Sequence, residues 1–208
     1  MKAAVALVTG ASLLAALAGC AGGPQPTIQS ATAVTRSTDQ SGRFITFVGP
    51  QRPHGEPFLG VPGTNFDALR SSIDTRTGHA VHQLYVEDSY FGAERNWEAA
   101  TDPAGQALRF IHISKNEINC DFGCSYAEEF AASLPEALLR AHAQGITAGL
   151  PVSFTARSGA RQTIIVPRDL ILQQLAAVDA ARASLPTASA APPLGANHDA
   201  LEHQRGIE

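Results

Sequence analysis

Val152, Phe154 and Ala156 alternate with Ser153, Thr155 and Arg157. A period of two predicts a strand with one face buried. Ser158-Gly159-Ala160 supplies a turn, and 162–166 returns as the hairpin partner. Similar signals fill the chain upstream. Phe44–Val48 (FITFV) is a short β-branched and aromatic run closed by Gly49-Pro50. Residues 49–63 hold four prolines and four glycines, which predicts a loop without room for a helix. Segments 66–75 and 80–88 flank Arg76-Thr77-Gly78, where Gly78 supplies a positive φ for a hairpin turn. Segments 96–101 and 106–118 flank Asp102-Pro103-Ala104-Gly105, a second turn. A third hairpin joins 106–119 to 124–132 across Asp121-Phe122-Gly123, with the composition of a type I turn plus bulge.

Two stretches change period from two to 3.6. Ser133-Leu134-Pro135-Glu136 has capping-box spacing before EALLRAHAQ, and Gly145 stands where a helix C-cap belongs. Pro167 can open a second helix, with Ile171, Leu175 and Val178 on one stripe and Leu172 beside it. Hairpins plus these helices predict a mainly β, α+β domain. Its architecture is an antiparallel meander or sandwich-like sheet, one short helix and a C-terminal amphipathic helix. Phe110-Ile111-His112-Ile113 is apolar at both phases, so both sides of the sheet are expected to be covered.

The ends read differently. Lys2 and the small or apolar residues 3–18 are too short and too rich in Ala and Gly for a membrane span of about 20 strongly apolar residues. They have the shape of a secretory signal peptide. Leu17-Ala18-Gly19-Cys20 resembles the lipobox of bacterial lipoproteins, a resemblance confined to residues 1–20. It implies cleavage before Cys20, a diacylglycerol on its thiol and an N-acyl chain on its new amino group. Ala16-Leu17-Ala18 offers the alternative of an ordinary cleavage site. Ala21 rather than Asp after the cysteine implies, by the same resemblance, the periplasmic face of the outer membrane. The expected organisation is a signal peptide over 1–19 and a lipidated cysteine with flexible tether over 20–42. A folded domain over 43–181 and a disordered Ala/Pro-rich tail over 182–208 complete it.

Charge narrows the partners. The 208-residue chain carries a formal −4, which becomes −5 when Lys2 leaves with the signal peptide. No Lys/Arg cluster marks a nucleic-acid or headgroup surface. The expected partners are the membrane, through the lipid, and an envelope protein or glycan.

In an oxidising compartment, cysteines brought together by a hairpin are expected to pair. Cys120 and Cys124 flank the third turn, so a disulfide is expected there, worth only about 2 kcal/mol for so small a loop. A redox pair and half of a metal site are the alternatives. Thioredoxin-like chemistry uses two intervening residues and a helix N-terminus; here there are three, between strands. Zinc would need two more ligands.

Glu87, Asp88, Tyr90 and Trp97 mix acid with aromatic side chains, a composition that serves either a carbohydrate or cationic-ligand groove or a strand end whose Tyr90, Phe91 and Trp97 enter the core. His79 and His82 fall on opposite faces of a strand and read as surface or partly buried histidines; His54 and His142 have no companion in sequence. There is no Gly-x-Ser-x-Gly, Ser-x-x-Lys, His-Glu-x-x-His, phosphate-binding loop or dinucleotide fingerprint. No metal or diffusible cofactor is expected. HQLYVEDSYFG, the cysteine hairpin and VPRDLILQQLAAVD loosely resemble uncharacterised bacterial envelope proteins. The expected function is a non-enzymatic binding or assembly-accessory domain. A periplasmic enzyme using acidic and histidine residues within 79–98, and a disulfide-based redox accessory, are the alternatives.

Overall fold

The computed structural model describes residues 33–120 and 123–185. Along the chain these form β1 (Thr35–Thr38), β2 (Phe44–Val48), β3 (Arg52–Pro53), β4 (Phe66–Asp74), β5 (Ala80–Phe91) and β6 (Trp97–Thr101). Then come β7 (Ala107–Leu108), β8 (Phe110–Asn119), β9 (Ser125–Leu134), α1 (Glu136–Gln144), β10 (Gly149–Ala156), β11 (Arg161–Pro167) and α2 (Arg168–Ala183). All strand pairings are antiparallel. One sheet runs β1-β2-β4-β5-β9-β8, with β3 also on β4; the other runs β11-β10-β6-β7. The domain is therefore mainly β, of α+β class, with its two helices against the sheets.

Alternation dictates what the sheets enclose. Leu84 and Val86 of β5 stand opposite Ala132 and Phe130 of β9, and they face Val152 and Phe154 of β10 across a shared core. Phe130 lies at its centre, with ring centroids 5.1 Å from Phe154, 5.3 Å from Trp97 and 5.7 Å from Phe110. These separations suit offset and edge-on aromatic packing. Leu139 and Ala143 of α1, one turn apart, and Ile171 and Leu175 of α2 close one end. Val178 and Ala181 continue the α2 stripe into a smaller cluster with Ile45, Phe47 and Ile73.

Several expectations shift. The 106–118 strand is two strands. Leu108 pairs with Ala100 in the smaller sheet, Phe110 pairs with Ala132 in the larger, and Arg109 carries the chain between them. At this point the chain passes from one sheet to the other with a single intervening residue. The motif Phe110-Ile111-His112-Ile113 does not mark a strand covered on both sides. Phe110 alone packs on the core, while Ile113 is 44 % exposed, because β8 is a sheet edge that the short second sheet does not reach along its length.

The capping box fails because β9 runs through Leu134. Ser133 is spent in the ladder and Pro135 takes the N-cap position without a side-chain bond. Gly145 does receive the helix end, but with extended backbone rather than the left-handed turn. Pro167 caps α2 as the last residue of β11. The Pro/Gly loop contains the short β3 and a 3-10 turn at Phe58–Gly60. At the boundaries, β1 lies within the segment read as tether, and α2 extends past 181 through Ala183. Leu17, Ala18, Gly19, Cys20 and Ala21, with 186–208, lie outside the described residues.

Candidate functional site

The inward face of β5 reads His82, Leu84, Val86, Asp88, Tyr90, and that of β9 reads Tyr126, Glu128, Phe130, Ala132, Leu134. The register sets Asp88 directly opposite Glu128, two carboxylates side by side in the core at 4 % and 1 % exposure. Buried like charges are tolerable only if donors surround each one. Both are surrounded. Asp88 takes both its hydrogen bonds to Arg95 through Nη1, at 2.8 and 2.7 Å, and a third from Trp97 Nε1 at 2.8 Å. Glu128 accepts the Tyr90 hydroxyl and the backbone N–H groups of Asn96 and Trp97, the latter two at 2.9 and 3.0 Å. The two acids thereby pin the 92–96 turn, where Gly92 and Asn96 both have positive φ. Burial, with Glu128 adding to it, pushes the Tyr90 hydroxyl well above the usual tyrosine range, so it stays a donor.

Glu87 belongs elsewhere. On the opposite face of β5 it accepts the Ser89 hydroxyl and the Asn65 N–H, and its carbonyl oxygen meets His54 Nε2 at 2.8 Å. It anchors the Pro/Gly loop. Of the four residues singled out in sequence, Asp88, Tyr90 and Trp97 share one network and Glu87 stands back to back with it. Tyr90 and Trp97 are buried at 5 % and 4 %; Phe91, which the core reading would have placed inside, is 62 % exposed, its ring 4.7 Å from that of Phe58.

These contacts frame a cleft of about 340 Å³ at one end of the two sheets. Its walls are the loop after β3 (His54, Asn65), the end of β5 (Asp88), the 92–96 turn with the start of β6 (Arg95, Trp97) and the start of β11 (Arg161, Gln162). His54 Nε2 faces a carbonyl oxygen and must carry the proton, so Nδ1 is an acceptor and Gln162 presents its nitrogen to it at 2.7 Å. That orientation leaves Gln162 Oε1 shielded from solvent without a hydrogen-bond partner. Sequence reasoning missed Arg95, Arg161, Gln162 and Glu128. His54 and Gln162 are 108 residues apart, and no local pattern announces such a pair. Glu128 did leave a signal: it is a charge in phase with Tyr126, Phe130 and Ala132 on an otherwise inward strand face.

His82 lies six residues along β5 from Asp88, about 20 Å at the strand rise, so the 79–98 segment is not one site. His79 is exposed and His82 is 1 % exposed. A second cavity of about 630 Å³ lies there, lined by His82, Ser133, Glu136 and Arg182. Gln174 donates to the Phe47 carbonyl and to Ser71 Oγ, at 3.1 and 2.9 Å, so the Ser71 hydroxyl donates to His82 Nδ1 at 2.7 Å. His82 Nε2 lies 3.5 Å from Glu136 Oε2 without the alignment of a hydrogen bond. Although Ser, His and Glu form a line, Ser71 is 2 % exposed and cannot meet a substrate. Arg182 spends its guanidinium on Glu136, Asp179 and the Gly78 carbonyl.

The sulfurs of Cys120 and Cys124 are at bonding distance, 2.13 Å, at the tip of the β8–β9 hairpin. Gly123 has φ +112°, while Asp121 and Phe122, and with them the turn type, lie outside the described residues. Among the described residues, no group of three His, Cys, Asp or Glu side chains is set to hold a metal. Compared with known proteins, the chain matches no family model, no curated protein and no solved structure.

Proposed function

We propose that this protein is a lipid-anchored cell-envelope domain that binds rather than catalyses, held by an acylated Cys20 at the periplasmic face of the outer membrane. Acyl chains stabilise membrane attachment by about 0.8 kcal/mol per buried methylene, so two or more give stable anchoring where one would be marginal. The binding reading rests on one observation. The paired acids Asp88 and Glu128 are saturated by protein donors, whereas Arg95 and Arg161 open onto the cleft with guanidinium nitrogens to spare. General acid–base work needs a carboxyl group free to exchange a proton with substrate. Recognition needs only placed donors and acceptors.

Labelling cells with a radioactive fatty acid tests the anchor. The wild-type chain is expected to take up label and to fractionate with membranes, and Cys20→Ser to lose the label and either leave the membrane or accumulate as precursor. An unlabelled wild-type product, with its N-terminal thiol intact by mass spectrometry, would overturn the reading.

A further inference from the structure

We infer that the cleft between the Pro/Gly loop and the β10–β11 hairpin takes a carboxylate about one acidic monosaccharide unit in size. This inference rests on the binding reading above and names its ligand class.

Volume comes first. About 340 Å³ is at the lower end for ligand pockets and suits a single ring. Charge follows. Among the lining residues Asp88 is the one carboxylate, and Arg95 already neutralises it. Arg161 is exposed and, among the described residues, its guanidinium has no partner, while nearby Arg52 and Arg157 are paired with Asp67 and Glu98. Counting the lining side chains alone, two arginines stand against one aspartate, in a chain whose formal charge is −4. The groove that composition suggested for a cationic ligand has the opposite sign, because Asp88 and Glu128 turn their charge inward.

Geometry supplies the donors. Arg95 Nη1 spans both Asp88 oxygens and the guanidinium lies 4.1 Å over the Tyr90 ring. Its Nη2 and Nε are left for a ligand, in the fork arrangement that matches a carboxylate. Gln162 Oε1 lacks a partner but is closed to solvent, so the cleft's volume, and not this acceptor, sets a ligand the size of one sugar ring.

The 630 Å³ cavity beside His82 carries less. Arg182 is fully engaged there, and the Glu136 carboxylate would repel an anion.

Trp97 is the chain's only tryptophan, and its indole N–H bonds to Asp88 at the cleft wall. One indole resonance of the ¹⁵N-labelled full-length chain in detergent micelles therefore reports occupancy. Glucuronate is expected to shift it saturably, more tightly than glucose, glucosamine or acetate, and a glucuronate-containing oligosaccharide distinguishes a free sugar from a unit within a glycan. Losing one charge-assisted contact in Arg161→Ala should weaken glucuronate binding about tenfold, with the free-protein resonance unmoved.

Equal or tighter binding of glucose or glucosamine, or no effect of R161A, would overturn the acidic ligand while leaving a binding domain. Acetate matching glucuronate would overturn a ligand of sugar size. If none of the probes shifts Trp97, the cleft is not a ligand site and the binding reading falls with the inference.

Discussion

Four side chains thread polarity between the two apolar clusters: Gln174, Ser71, His82 and Glu136. Each is intelligible as chemistry but invisible as pattern. Gln174 occupies the buried stripe of α2 between Ile171 and Val178, where spacing alone would ask for an apolar residue. The thread makes stability depend on pH. Arg182, then Arg140, hold the Glu136 carboxyl at about 2, while burial lowers His82 below its ordinary 6.5 and the neighbouring arginines add to this against the pull of Glu136. A carboxyl group depressed in the folded state stabilises fully above its ordinary 4.5 and loses that contribution as pH falls toward 2. A histidine depressed in the folded state contributes above 6.5 and loses its share as pH falls through its lowered value. The urea midpoint should therefore fall on acidification from about pH 6.5 downward. Glu136→Gln should flatten the part below 4.5. An unchanged slope in that variant would assign the acid loss to other carboxylates.

At the level of elements, the hairpins and both helices were legible because each is specified by residues close in sequence. Turn chemistry at Gly78, Gly105 and Gly159, all at positive φ, agrees with the expected turns. What was not legible was the exchange of sheets at Arg109, since nothing local tells a strand which partner it will have three residues later. Gly149 is another such position. It begins β10 opposite Pro167 in an ordinary extended conformation, yet a β-carbon there would collide with the Val166 carbonyl oxygen. The β11 strand approaches too closely for a side chain. Gly149→Ala is expected to cost about 1–3 kcal/mol by overpacking, read as a lowered thermal midpoint. A variant melting with the wild type would mean that the two strands separate freely at this end.

Over the whole molecule, two sheets and two helices enclose a core that does not depend on the cysteine hairpin. Cys120 and Cys124 sit at the far tip of an edge hairpin, beyond the register pair Asn119–Ser125 and away from both apolar clusters. Closing so short a loop restricts the unfolded chain little. The double variant Cys120→Ser/Cys124→Ser should lose no more than about 2 kcal/mol in urea unfolding and leave the Trp97 resonance in place. A loss of twice that size, or a displaced indole signal, would mean the tip supports the sheet.

The sequence by itself determined the mainly β class, the hairpin turns, the inward stripe of α2 and the candidacy of Asp88, Tyr90 and Trp97, because each depends on periodicity or on neighbouring residues. The tertiary structure alone decided that Asp88 and Glu128 stand opposite one another and are both satisfied. It alone put His54 against Gln162 and, among the described residues, left Arg161 without a partner at the mouth of a cleft. Those relations join residues tens of positions apart, and strand register, which no short stretch of chain encodes, is what brings them within hydrogen-bonding reach.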